Sequence, residues 1–233
     1  CIRDRWNKIY SLIGKRTPIY LLALAIFGVL LYITSLSRQG NENTLVDYTY
    51  VYRDAMNLAT GGTLEYTDYF VTYSNNLKPM LLLSVWFRVA VLLGISPFHF
   101  VLLRNVLLVL LVVWACGYLT EQNEDCRWRF PILLTFAFLL PLWDMVSVFY
   151  TDSMSFGLGI LTLALLKKAG STKTNKGKIL WSVLAGAVTI LAIIWKITAI
   201  IPLIAGAMIL LWQREKADRR VIMQYAAAAI LFG

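Results

Sequence analysis

Three acids, two lysines and a set of tyrosines and asparagines are the residues of this chain whose types suit catalysis. Asp47, Tyr50 and Asp54 stand early in a polar interval over residues 44–83, and Tyr73, Asn75, Asn76 and Lys78 stand late in it, ahead of Pro79. Farther on, Tyr150 and Asp152 follow an apolar run, and Lys196 lies between two more. A carboxylate beside an attacking hydroxyl serves as a general base. Fixed lysines stabilise the negative charge that grows on a phosphate leaving group. Hydroxyls and side-chain amides hydrogen-bond sugars or phosphates, and an acid such as Asp152 can hold a divalent metal.

Each of these residues also has an ordinary role. Thr44 and Asp47 fit a capping box, in which the acid satisfies a backbone N–H. Lys78 fits a lysine snorkelling from the end of a span, and Ser74-Asn75-Asn76 is turn chemistry. Thr151 or Asp152 can cap a helix, and Lys196 fits a hairpin charge facing water. Asp54, next to Arg53, fits a solvated or paired charge and enters only as a secondary candidate. Arg104, inside an apolar run, is expected to face protein or a cavity rather than lipid, and Asp144 to pair with a basic group. The single histidine, His99, follows Pro97-Phe98 at a segment start. That position suits an interface and argues against Ser-His-Asp or histidine-metal chemistry.

The elements that must position these groups are set by composition. The chain has 233 residues, 59% hydrophobic and 15% charged, with mean hydropathy +0.66. Those values are more apolar and less charged than a soluble domain and imply an all-α, polytopic membrane helix bundle. A start at Cys1 and an end at Gly233 within an apolar run suggest the amino-terminal transmembrane module of a longer protein, one unit over residues 1–233. Of 22 Lys and Arg, 14 fall within residues 3–16, 167–178 and 214–220. Such clusters beside apolar spans mark the cytoplasmic side, so the +9 charge reflects topology and implies no nucleic-acid partner. Cys1, Cys116 and Cys126 have neither disulfide-framework nor zinc spacing.

Apolar segments are expected over residues 18–36, 80–93, 98–119, 130–149, 153–166, 179–195, 197–212 and from 221 onward. The first runs outward, so the loop over residues 37–79 lies outside, and its five acids against three bases agree. The segment over 153–166 leads into the cytoplasmic lysines, so Asp152 and Lys196 are also outside. An even number of crossings must then separate Pro79 from Asp152, yet three segments intervene. One of them dips and returns: either the short 80–93 or the 130–149 stretch interrupted by Pro141. Within the outer loop, residues 46–60 read as an amphipathic helix on the outer membrane surface. Tyr48, Val51, Tyr52, Ala55 and Ala59 form its apolar face, with Asp47, Tyr50, Asp54 and Asn57 opposite, and Gly61-Gly62 stops it.

In this order the residues resemble a GT-C class glycosyltransferase of the protein O-mannosyltransferase and aminoarabinose-transferase kind. The resemblance lies in an acid opening the first outer loop (Asp47), a Tyr-rich stretch ending in Lys-Pro (Tyr73 to Pro79), and a later Tyr150-Thr151-Asp152 at an outer helix mouth. Tyr73 to Asn76 and Trp195-Lys196-Ile197-Thr198 look closer to uncharacterised bacterial branches of that superfamily. Asp47-Tyr48 stands where many relatives have Asp-Glu, and Lys78-Pro79-Met80 where they have Lys-Pro-Pro.

The resemblance implies a polyprenyl-phosphate sugar donor, reached from the membrane lipids, and a glycan, lipid or protein acceptor. It implies a site on the outer face of a bacterial cytoplasmic membrane. Asp47 would be the base and Lys78 and Lys196 the phosphate-binding cations. Tyr50, Tyr73, Asn75, Asn76 and Tyr150 would bind substrate, and Asp152 would hold a divalent metal, the one cofactor implied, or orient Lys78. Two other classes stay open: a secondary transporter or lipid flippase lined by Arg104, Asp144 and Asp152, and a non-catalytic assembly subunit that keeps the scaffold.

Overall fold

The computed structural model describes residues 17–37, 46–121, 126, 128–139, 143, 146, 148, 151–201 and 204, apart from the side chains of residues 17, 46, 152 and 153. Among the described residues there are eight α-helices and no strand. They are α1 (Thr17–Leu36), α2 (Val46–Ala59), α3 (Thr67–Thr72), α4 (Leu77–Leu92), α5 (Pro97–Thr120), α6 (Arg129–Phe138), α7 (Thr151–Ser171) and α8 (Asn175–Trp195). Single 3-10 turns, Ser74–Asn76 and Ile197–Ala199, precede α4 and follow α8. Among the described residues three helices are long and apolar enough to cross a membrane: Pro18–Leu36 within α1, then α5 and α8. Of the expected segment over 197–212 only residues 197–201 and 204 are described, and the segment beyond 221 lies outside the described residues.

In α1 the side chains at Tyr20, Leu24, Phe27 and Leu31 are buried, while Leu22, Ile26, Val29 and Ile33 are exposed. A helix apolar on its outward face as well as its inward one suits lipid rather than water. The bundle has two ends. At one, the Tyr32 hydroxyl and His99 Nδ1 share a hydrogen bond of 2.9 Å, so α5 starts where α1 finishes. At the other, Arg129 lies over the Tyr20 ring, 5.8 Å from its centre, and pairs with Glu121. A Cβ on Gly157 would stand 3.1 Å from Val112, which packs α7 closely on α5.

Lys167 reaches the finish of α5, donating to the carbonyls of Tyr118 (2.8 Å), Leu119 (3.1 Å) and Glu121 (2.6 Å). Carbonyls at a helix finish are short of intrahelical donors, so a lysine from α7 caps α5, sharing the Tyr118 oxygen with the Glu121 N–H. Lys167→Met should therefore cost about 1.5 to 3 kcal/mol, read as a lower unfolding midpoint of the full-length protein in detergent. The hairpin from α7 to α8 then returns the chain, with Thr162 and Thr189 facing at 3.4 Å. It brings Trp195 back to the first end, where the Arg104 guanidinium lies 5.5 Å from its ring centre.

Helix α5 starts where α1 finishes, and of the helices between them in sequence α4 lies along α2. Phe87 meets Tyr52 at 4.9 Å between ring centres, and Arg88 Nη2 donates to the Leu58 carbonyl at 3.3 Å. The 130–149 stretch is interrupted. Helix α6 ends at Phe138, ahead of Pro141, whose ring disfavours helix in the residue before it. The chain beyond rejoins α5 at mid-height, where buried Asn105 donates to the carbonyls of Val146 (2.8 Å) and Val148 (3.3 Å).

The apolar face expected for α2 is present: Tyr48, Val51, Ala55 and Ala59 are buried. Its cover, however, is protein. Those residues join Met80, Leu83 and Phe87 of α4, Met154 of α7 and Trp195 of α8 in one cluster. The helix stops as anticipated: Gly61 takes φ 87° and Gly62 N–H bonds the Asn57 carbonyl at 2.8 Å, a Schellman ending.

Candidate active site

Asp47 sits in the first turn of α2 with its side chain exposed. Its Oδ1 accepts a hydrogen bond from the Tyr69 hydroxyl at 3.0 Å. The same hydroxyl oxygen accepts from Asn76 Nδ2 at 2.6 Å, and Asn76 Oδ1 accepts from Asn75 Nδ2 at 3.2 Å. One chain of donors thus runs from the turn before α4 to the carboxylate at the start of α2. Thr44, the partner in the capping-box alternative, lies outside the described residues.

Tyr69 is delivered by α3, a six-residue helix anchored through Phe70, which is 5% exposed and packs edge-on to Tyr69 at 5.1 Å. The Tyr69 ring lies between Tyr50 (4.6 Å) and Tyr73 (5.0 Å), and Tyr50 also meets Tyr66 at 4.7 Å. Burial raises the Tyr69 pKa well above the ordinary phenol value; the bond to Asp47 adds to the rise and Asn76 opposes it. The phenol therefore keeps its proton through the neutral range and remains a donor to Asp47.

Residue Tyr69 was not among the sequence candidates. The signal was there: Tyr66, Tyr69 and Tyr73 recur at three- and four-residue spacing, a helical register inside what reads as loop.

Asp54 differs from its expected role as a solvated charge or a partner of Arg53. It is 0% exposed, and its two oxygens accept from the backbone N–H groups of Glu65 (2.8 Å) and Tyr66 (3.0 Å). The carboxylate is thus a clamp that folds the chain after Gly61-Gly62 back on α2, and it brings α3 to Asp47. Arg53 instead donates to the Tyr66 hydroxyl at 3.1 Å, which raises its pKa.

Tyr48, Met80, Met154 and Trp195 belong to one buried cluster, and they lie within two positions in the chain of Asp47, Lys78, Asp152 and Lys196 respectively. Lys78 is exposed in the first turn of α4, two residues after Asn76. Lys196 is half-buried and closes α8 in extended backbone, φ −161°. Asp152 falls in the first turn of α7, but its side chain, like all of Tyr150 and Asp144, lies outside the described residues. Tyr73 is 50% exposed and Asn75 is exposed, so both present polar groups to solvent beside the Asp47 chain.

Neither a family model, nor a curated protein, nor a solved structure matches this chain. The site has to be read from its own geometry.

Arg104 faces protein, as its place in an apolar helix required. Its Nε and Nη2 donate to Asn105 Oδ1 at 3.3 and 2.9 Å, beneath Trp195. Among the described residues no group of three His, Cys, Asp or Glu converges as a metal site. His99 is engaged by Tyr32 rather than by a carboxylate or nucleophile. A carboxylate with one oxygen fixed by a phenol, next to a helix start bearing a lysine, can take a proton from a hydroxyl while a cation attends a nearby anion.

Proposed function

We propose that this chain is the membrane module of a glycosyltransferase of GT-C type, moving a sugar from a polyprenyl phosphate to an acceptor hydroxyl. It is multi-pass in a bacterial cytoplasmic membrane and works on the outer face. The observation that carries the proposal is the donor chain from Asn76 through Tyr69 to Asp47, which starts two residues from Lys78. A base and a cation held on one small scaffold are what displacement of a lipid phosphate by a hydroxyl requires.

Asp47 accepts the proton of the attacking hydroxyl through the oxygen that Tyr69 does not use. The hydroxyl oxygen bonds to the anomeric carbon as the bond to the phosphate oxygen breaks, and the electron pair leaves with the phosphate. Lys78 and Lys196 stabilise that phosphate. Tyr50, Tyr73, Asn75 and Asn76 orient the sugars. A single base acting on one face gives inversion at the anomeric carbon. Asp152 would hold a divalent metal, whose chemistry would be to neutralise phosphate charge; no described residue needs that metal to position Asp47. Support for the membrane setting comes from the three long apolar helices and from the basic α7–α8 hairpin at the opposite end of the bundle.

The test is transfer of radiolabel from a polyprenyl-phosphate sugar in native membranes, which carry acceptors, with and without the full-length protein. Protein-dependent incorporation with inverted anomeric configuration is expected. Incorporation that is the same without the protein contradicts the proposal.

A further inference from the structure

The Asp47 carboxylate is exposed at the start of a helix, where an aspartate ordinarily swings freely among rotamers, yet here one oxygen is tied. Its tie comes from far along the chain. Tyr69 comes from α3, 22 residues along the chain, and Asn76 comes from the turn that opens α4. Tyr69 in turn has little freedom. Its ring is held between Tyr50 and Tyr73, and its neighbour Phe70 is locked in the core. The short Asn76 contact of 2.6 Å fills the acceptor side of the hydroxyl and leaves its single proton for Asp47.

On the transferase reading above, we propose that Tyr69 is the positioning residue for the Asp47 base, with Asn76 fixing the direction of its hydroxyl. By donating to Oδ1, Tyr69 aims Oδ2 at the acceptor hydroxyl; by accepting from Asn76, it couples the base to the helix start that carries Lys78. Substrate and reacting atoms touch Asp47 and Lys78, while Tyr69 acts through them. A base that must be aimed before each turnover loses rate without losing substrate binding.

The experiment measures kcat and KM for transfer from polyprenyl-phosphate sugar in membranes containing full-length protein, together with the unfolding midpoint of each variant in detergent. Tyr69→Phe keeps the ring stack and removes only the hydroxyl. It should lower kcat by about tenfold, the loss of one charge-assisted hydrogen bond, with KM for both substrates changed less than about twofold. Asn76→Ala should lower kcat in the same sense by a smaller factor. Arg53→Gln is the control, since it removes the Tyr66 hydrogen bond on the far side of the ring fan without touching Asp47.

A tenfold fall for Tyr69→Phe, with Arg53→Gln at wild-type kcat and all midpoints unchanged, supports the role. Wild-type kcat for Tyr69→Phe overturns it, as does an equal fall in Arg53→Gln, which would make the effect one of loop order. Asp47→Asn is run alongside to separate the two claims. If wild type itself transfers no more sugar than membranes lacking the protein, the transferase reading fails; if Asp47→Asn transfers as well as wild type, Asp47 is not the base and the positioning role falls with it; if Asp47→Asn is inactive while Tyr69→Phe is not impaired, only the positioning role fails.

Discussion

Asp47→Asn lowers kcat for sugar transfer by about 10²- to 10⁴-fold while leaving donor binding near wild type. The substitution keeps size and shape, and the amide oxygen still accepts from the Tyr69 hydroxyl, so α2 and α3 stay joined as they are now. What is lost is the capacity to take a proton from the acceptor. An interaction made only as the proton moves contributes to kcat and not to ground-state binding. Initial rates over a range of donor concentrations, in membranes containing the full-length protein, separate the two constants. A variant with raised KM and normal kcat would instead place Asp47 in uniform substrate binding.

The largest effect on stability is expected at Asp54. Its carboxylate is wholly buried and accepts from two backbone N–H groups, those of Glu65 and Tyr66. Asp54→Ala strands both donors away from water, and the cost of unmade bonds to a buried acidic partner is roughly 3 kcal/mol. Asp54→Asn retains one acceptor oxygen and should lose about half as much. Because Tyr66 is the residue from which α3 departs, the alanine variant also frees Tyr69 from its place beside Asp47. It should therefore lose activity together with stability, unlike Asp47→Asn, which loses activity alone. Thermal unfolding of the full-length variants in detergent, run beside the transfer assay, checks both.

Sequence patterning reached the long helices because length and apolarity suffice to define them. Helices α1, α5 and α8 were expected from apolar runs with basic or aromatic flanks, and their observed bounds fall within a few residues of those runs. The three- and four-residue spacing of Tyr48, Val51, Tyr52, Ala55 and Ala59 likewise announced α2, and Gly61 its end.

The direction of α4 was a different matter. A stretch of about 14 apolar residues has the same composition whether it crosses a membrane or lies along a neighbouring helix. Its packing on α2, through Phe87 on Tyr52 and Arg88 on the Leu58 carbonyl, needed the fold. Asp54 was opaque for the same reason. Its partners lie 11 and 12 residues away across a turn, and nothing in Arg53-Asp54 itself distinguishes a surface charge from a buried clamp. Of the site, Asp47, Asn75 and Asn76 were legible by type, whereas the tyrosine joining them needed the fold.

The most direct measurement is single-turnover transfer from labelled polyprenyl-phosphate sugar already bound to the full-length protein in native membranes, comparing wild type with Asp47→Asn. With equal donor bound, the mutant is predicted to release sugar to acceptor at least about 100-fold more slowly. Equal single-turnover rates for the two proteins would contradict Asp47 as the base of the reaction.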